Sequence, residues 1–254
     1  EYFILRTDKT FFGEAFIHKI LGIIVLYIVA KSMSFNCENI SFTRKKAIFY
    51  LGQGLLFGIF IYIISYGIEI LINISHSQFK SLEFYVSTYS VEGNIGKQTA
   101  IIFFVICILG NIINVIMEEG IFRGLFQKLF EQKYNFLLSA ILSSLLFGFW
   151  HVIAPLRSYY DGTISFEEMF INIIILVVTS TLVGLKFSMM TKLTGSLYMS
   201  MGDHFVNNTI INILHIVSKD GSIDKLLVMR ISIAQTLSFL IILIYFKLSR
   251  NECS

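Results

Sequence analysis

The chain has 254 residues, of which 55% are hydrophobic and only 15% charged, and its formal net charge is +3. Its mean hydropathy is +0.73. A soluble domain would carry about 25% charged residues, so these values exclude one. One proline and 25 phenylalanines argue against a loop-rich fold, and no basic patch suggests a nucleic-acid partner. The bilayer admits only helices and closed barrels, because every backbone polar group must be satisfied internally. Here the apolar runs are continuous over roughly 20 residues rather than alternating, which selects helices. The expected fold is an all-α, polytopic transmembrane bundle of about seven spans. It reads as a single domain over 1–254, with no internal repeat and no low-complexity linker.

In chain order, the spans fall at about 20–35, 47–73, 99–118, 136–154, 167–186, 194–216 and 227–247. The chain begins at Glu1 rather than at a methionine, which implies a segment upstream, and nothing in it reads as a cleavable signal. Between the first two spans, Arg44, Lys45 and Lys46 favour a cytoplasmic loop and so an outside N-terminus. The overall Lys and Arg tally gives almost no bias. In the second span Gly54 and Gly58 form a small-xxx-small pair suited to close helix packing. Glu69, near the end of that span, reads as a snorkelling or packing residue. Residues 75–98 form the longest polar connection, with His76, Lys80, Glu83, Glu92 and Lys97. The third span should continue as an amphipathic helix to about Phe130, with Leu125, Phe126, Leu129 and Phe130 on its apolar face. Cys37, Cys107 and Cys253 show no metal or redox spacing. His18 and His76 read as loop or interface residues, and His215 as structural or interfacial.

Three polar clusters interrupt this apolar chain: Glu118, Glu119 and Arg123; His151; and His204 with Asn208. A charged group at the bilayer centre costs about 2.5–3.5 kcal/mol even on lenient insertion scales, so such groups mark functional sites. Helical rise places Glu118 roughly 18 Å from Phe130, His151 roughly 25 Å from Tyr134 and His204 roughly 17 Å past Leu193. With antiparallel neighbours, these depths agree to about one and a half turns. Glu119 and Arg123 are four apart and should pair. Glu118 is rotated about 100° away and shares a face with Asn111 and Asn114. Two adjacent carboxylates cannot both ionise cheaply in low dielectric. Arg123 would hold Glu119 charged and leave Glu118 to exchange a proton, as a general base must. Phe147, four residues before His151, should fix that imidazole. His204 and Asn208 share a face, and imidazole N–H and amide NH2 groups are donors for a developing oxyanion. Asp203 could orient a neighbour.

These motifs read EEGIFR at 118–123, FGFWH at 147–151 and HFVNN at 204–208, in that order. They resemble the CPBP (Abi) family of intramembrane proteases, which includes CAAX prenyl endopeptidases and bacteriocin-processing enzymes. The motif-bearing core is about 99–216, and the first hundred residues match only as generic spans. The resemblance implies an endopeptidase with Glu118 and His151 activating water and His204 and Asn208 stabilising the oxyanion. Glu119, Arg123 and Phe147 would support the site. It leaves metal dependence open: no metal is favoured, but Glu118, His151 and His204 could hold zinc with an open water position. The close-spaced His-Glu-x-x-His pair is absent. The implied partners are a membrane-associated peptide or protein substrate and the lipid bilayer. The Ile-, Phe- and Lys-rich composition suggests a bacterial plasma membrane and substrates such as bacteriocin, immunity or quorum-sensing peptides. Two other classes fit a polar membrane bundle. One is a non-catalytic scaffold or regulator of a sensor or peptide-export system. The other is a small transporter using His and Glu as a proton relay.

Overall fold

A computed structural model of the chain describes residues 1, 3–7, 10, 15–87 and 96–251. Glu92 and Cys253 lie outside the described residues. The architecture is a helical bundle: α1 (Ile17–Ser32), α2 (Ala47–Ser75), α3 (Ile101–Glu119), a π-helical stretch (Gly120–Phe126), α4 (Gln127–Glu131), α5 (Phe136–Trp150), α6 (Ile153–Tyr160), α7 (Phe166–Thr194), α8 (Tyr198–Ile213) and α9 (Leu227–Asn251). Among the described residues, five helical segments are long and apolar enough to cross a membrane: 47–75, 101–131, 136–160, 166–194 and 227–249. Helices α1 and α8 have 16 residues each. That is roughly 24 Å of helix, short of the roughly 20 residues a hydrocarbon core requires.

The expected extension of the third span is present, because α3, the π-helical stretch and α4 run as one 31-residue segment. The sixth span departs from expectation. Helix α7 runs on to Thr194 and ends at Gly195, whose φ of 66° makes the left-handed stop. Helix α8 then starts only at Tyr198, and it ends at Ile213 because residues 214–218 form a strand. That strand, β2 (Leu214–Ser218), pairs antiparallel with β1 (Phe79–Phe84), with Leu82 opposite Ile216 and Glu83 opposite His215. The polar connection therefore contains a strand, and its FKSLEF sequence alternates half-buried and exposed positions as a strand should.

Local sequence explains the other ends. Asn135 caps α5 by accepting from the Leu138 N–H at 3.0 Å. Ser165 and Glu168 form a reciprocal capping box at the start of α7. Helix α2 packs on α8 through glycine. A Cβ on Gly54 would lie 2.1 Å from the Met199 carbonyl oxygen, and one on Gly202 would lie 2.6 Å from that of Leu51. The small-xxx-small reading of Gly54 and Gly58 is thus a backbone-to-backbone contact, and it sets where α8 lies. On the outer face of α7, Phe170, Ile171, Ile174, Ile175, Val178 and Leu182 are all exposed, as a lipid-facing stripe would be.

Glu69 does not snorkel. It is fully buried, and its carboxylate lies 3.3 Å from Arg230 on α9. Arg230 also donates to Asp224 at 2.7 Å, and Asp224 pairs with His215 at 2.6 Å. The His215 ring stacks on Tyr85 at 4.1 Å. This network joins α2, β2 and α9 at the end of the bundle where the strands lie. His215 is structural, as expected.

Candidate active site

Glu118 and Glu119 occupy the last turn of α3. Glu118 accepts from the Asn114 amide, one turn earlier, at 3.2 Å. Glu119 is fully buried, with Oε1 3.1 Å from Arg123 Nη1 and 2.9 Å from His204 Nδ1. The other nitrogen of His204, Nε2, lies 3.4 Å from Glu118 Oε2. The imidazole of α8 therefore stands between the two carboxylates of α3. The turn at Gly195 makes His204 shallower than residue counting implied, at roughly 9 Å into its helix. The three groups nevertheless meet.

Arg123 sits within the π-helical stretch and still reaches Glu119 across four residues. π-Helical segments recur at functional sites. Its guanidinium lies over the Phe147 ring at 4.1 Å and near Phe187 at 5.2 Å. Phe147 in turn meets the His151 ring edge-on at 4.7 Å and His204 at 6.1 Å. Phe187 stacks on His204 at 4.9 Å. The arginine therefore backs two aromatic rings, and each ring holds a histidine.

His151 terminates α5, and its Nδ1 lies 2.8 Å from the Phe147 carbonyl. A carbonyl only accepts, so Nδ1 carries the proton and the neutral ring keeps its Nε2 lone pair. Phe147 thus fixes this imidazole by both its ring and its backbone. Asn208 is nearly buried, and its Oδ1 accepts from Asn207 at 3.0 Å. Asp203 forms a buried ion pair with Lys186 at 2.6 Å.

Among the described residues, no group of three or more His, Cys, Asp or Glu side chains is arranged to hold a metal ion. Both ring nitrogens of His204 face carboxylates, Nδ1 that of Glu119 and Nε2 that of Glu118. Beside the aromatic wall, an apolar cleft of about 510 Å³ runs between α1, the π-helical stretch and α5. It is lined by Val25, Met117, Ile121, Phe122 and Trp150 among others.

Phe187 and Lys186 lie outside the sequence motifs, and Asn207 lies within HFVNN but has no role in that pattern. Lys186 had a signal, since it is a lone cation at the end of an apolar run and is only 1% exposed. Phe187 had none, because one more aromatic in an apolar helix is unremarkable.

This is a multi-pass membrane protein with a buried carboxylate–histidine centre. Residues 100–210 match the family described as type II CAAX prenyl endopeptidase, Rce1-like, which supports the resemblance to the CPBP (CAAX protease) family. The match contains every motif residue from Glu118 to Asn208 and leaves α1, α2 and α9 outside it. No curated protein matches the chain.

Proposed function

We propose that residues 1–254 form one intramembrane endopeptidase domain that hydrolyses a peptide bond by glutamate-activated water. The observation that carries this reading is His204, held between Glu118 and Glu119. A proton on each of its nitrogens satisfies both carboxylates, and with Arg123 the four buried groups then sum to zero charge. Net neutrality is what makes such a cluster tolerable in low dielectric.

In the proposed reaction Glu118 takes a proton from water as the water oxygen bonds to the scissile carbonyl carbon. The Nε2 lone pair of His151 helps to orient that water. The carbonyl π electrons move onto oxygen, and the Asn208 NH2 and His204 Nε2–H donate to the resulting oxyanion. Glu118 then passes its proton to the leaving nitrogen as the C–N bond breaks, giving a carboxylic acid and an amine. Arg123 and Glu119 keep His204 oriented, and Phe147 keeps His151 oriented. No step needs a metal.

The substrate in this reading is a membrane-associated peptide or protein, with its apolar part in the cleft beside Phe122 and Trp150. A bacterial plasma membrane and small precursors of the bacteriocin, immunity or quorum-sensing kind suit the composition. The test is cleavage in proteoliposomes of a farnesylated CAAX-type peptide beside an unprenylated apolar precursor peptide, with products read by mass spectrometry. Cleavage of either at one defined bond supports endopeptidase activity and assigns the substrate class. Release of single terminal residues from both would overturn it.

A further inference from the structure

We infer that Gln235 on α9 and Asn207 on α8 are positioning residues. With Lys186 they form a relay that fixes the Asn208 amide with its NH2 towards the proposed site. This rests on the reading of Asn208 as an oxyanion donor. Neither Gln235 nor Lys186 belongs to any of the three motifs, and α9 lies outside the matched segment.

The relay begins at the Lys186 ammonium, which is almost fully buried. It is ion-paired with Asp203 at 2.6 Å and donates to Gln235 Oε1 at 3.0 Å and to Ser238 Oγ at 3.1 Å. An ammonium has three donors and no acceptor, so each of these partners must present an oxygen lone pair to it. Ser238 spends its own hydroxyl proton on the Gln235 carbonyl oxygen at 3.1 Å, which leaves its lone pairs for the ammonium.

Each amide direction then follows from the previous one. Gln235 must turn its oxygen to Lys186, because its NH2 would set donor against donor. Its Nε2 is therefore left to donate to Asn207 Oδ1, which also accepts from the Tyr62 hydroxyl. With its oxygen engaged twice, Asn207 donates through Nδ2 to Asn208 Oδ1 at 3.0 Å. Asn208 accepts there, so its own NH2 is the group it has to offer. Asn208 is four residues from His204 and shares its helix face, so this NH2 and the His204 imidazole face one volume. The polarity of the donor is thus set three hydrogen bonds away, by a cation that Asp203 holds in place. Gln235 and Asn207 touch neither substrate nor water in this account.

Gln235→Glu tests the relay because it keeps the shape and reverses one end. A carboxylate accepts from Lys186 and also presents an acceptor to Asn207. Asn207 must then turn its NH2 to residue 235 and its oxygen to Asn208. Asn208 turns in response and offers an oxygen, not a donor, to the site.

The measurement is kcat and KM for an internally quenched farnesylated CAAX-type peptide in proteoliposomes. The variants are Asn208→Ala, Gln235→Glu and the double variant. Removing one oxyanion donor typically lowers kcat by about 10² to 10³. Gln235→Glu should approach the lower figure with KM unchanged, and it should cost nothing further in the Asn208→Ala background. Gln235→Met, which keeps the volume without either polarity, should give a smaller kcat loss and the same non-additivity. It covers the case in which the carboxylate variant does not fold. Wild-type kcat in both Gln235 variants beside an impaired Asn208→Ala overturns the relay. So do losses that multiply in the double variant. Wild-type kcat in Asn208→Ala instead sinks the oxyanion reading on which the relay depends.

Discussion

Arg123 offers the sharpest test of the buried centre as a structural unit. Its side chain is fully buried, its one ion-pair partner among the described residues is Glu119 at 3.1 Å, and its guanidinium covers Phe147 at 4.1 Å. Arg123→Met keeps much of the volume and removes the charge. It leaves Glu119 buried without the guanidinium, beside the His204 imidazole and the Ser200 hydroxyl. Breaking a buried pair from one side costs about 3–5 kcal/mol, because the remaining charge is uncompensated. At about 2–4 °C per kcal/mol for a chain near this size, the unfolding temperature should fall by roughly 6–20 °C. The assay is thermal unfolding of purified protein in detergent, followed by intrinsic fluorescence or by loss of monodispersity. The double variant Glu119→Gln/Arg123→Met should recover part of the loss, because it removes the orphaned charge. A fall under about 2 °C for the single variant, or strictly additive losses in the double, would refute the pairing argument.

Two further outcomes follow from the fold. Gly54→Ala places a methyl 2.1 Å from a backbone oxygen of α8, so α2 and α8 must separate. It should destabilise by about 1–3 kcal/mol, the usual range for overpacking. Gly52→Ala meets nothing within 4 Å and should be neutral, with both read in the same unfolding assay. At the strand end, burial works to raise the Asp224 carboxyl. The hydrogen bond from His215 and the Arg230 guanidinium outweigh it and hold the group below its ordinary 3.8. A carboxyl lowered in the folded state contributes stability above its unfolded pKa and loses it as pH falls through the folded one. Unfolding temperature should therefore drop on acidification below about pH 4, and Asp224→Asn should flatten that drop. An unchanged slope in the variant would locate the acid sensitivity elsewhere.

The fold was legible wherever apolar length alone decides. The spans at α2, α3 with its extension, α5, α7 and α9 follow from unbroken hydrophobicity. Helix α8 was the difficulty. The chain remains apolar from 194 to 216, and hydropathy cannot register that Gly195 stops one helix or that His215 belongs to a strand. That strand is dictated by long-range pairing with β1 and by Asp224, which are not local signals. The motif residues were legible because charge and amide groups in an apolar run have few bland explanations. Their meeting followed from antiparallel counting, even though the depth of His204 was overestimated. What remained hidden was the layer behind them. Phe187 resembles any core aromatic. Glu69 and Arg230 become a pair only once α2 and α9 are adjacent. Asn207 acquires a role only through Gln235, 28 residues further along the chain.

The most direct test of the account is the turnover of a cleaved membrane peptide by Glu118→Gln beside wild type in proteoliposomes, with and without a chelator. Glutamine keeps the shape and the hydrogen bond to Asn114 by rotating its amide, but it cannot take a proton from water. General-base catalysis contributes typically about 10² to 10⁴, so kcat should fall by at least about 10² with folding intact. Chelator should leave the wild type unchanged. A Glu118→Gln variant that turns over at the wild-type rate would contradict the proposed base. Chelator-sensitive activity restored by zinc would contradict the metal-free chemistry proposed for this centre.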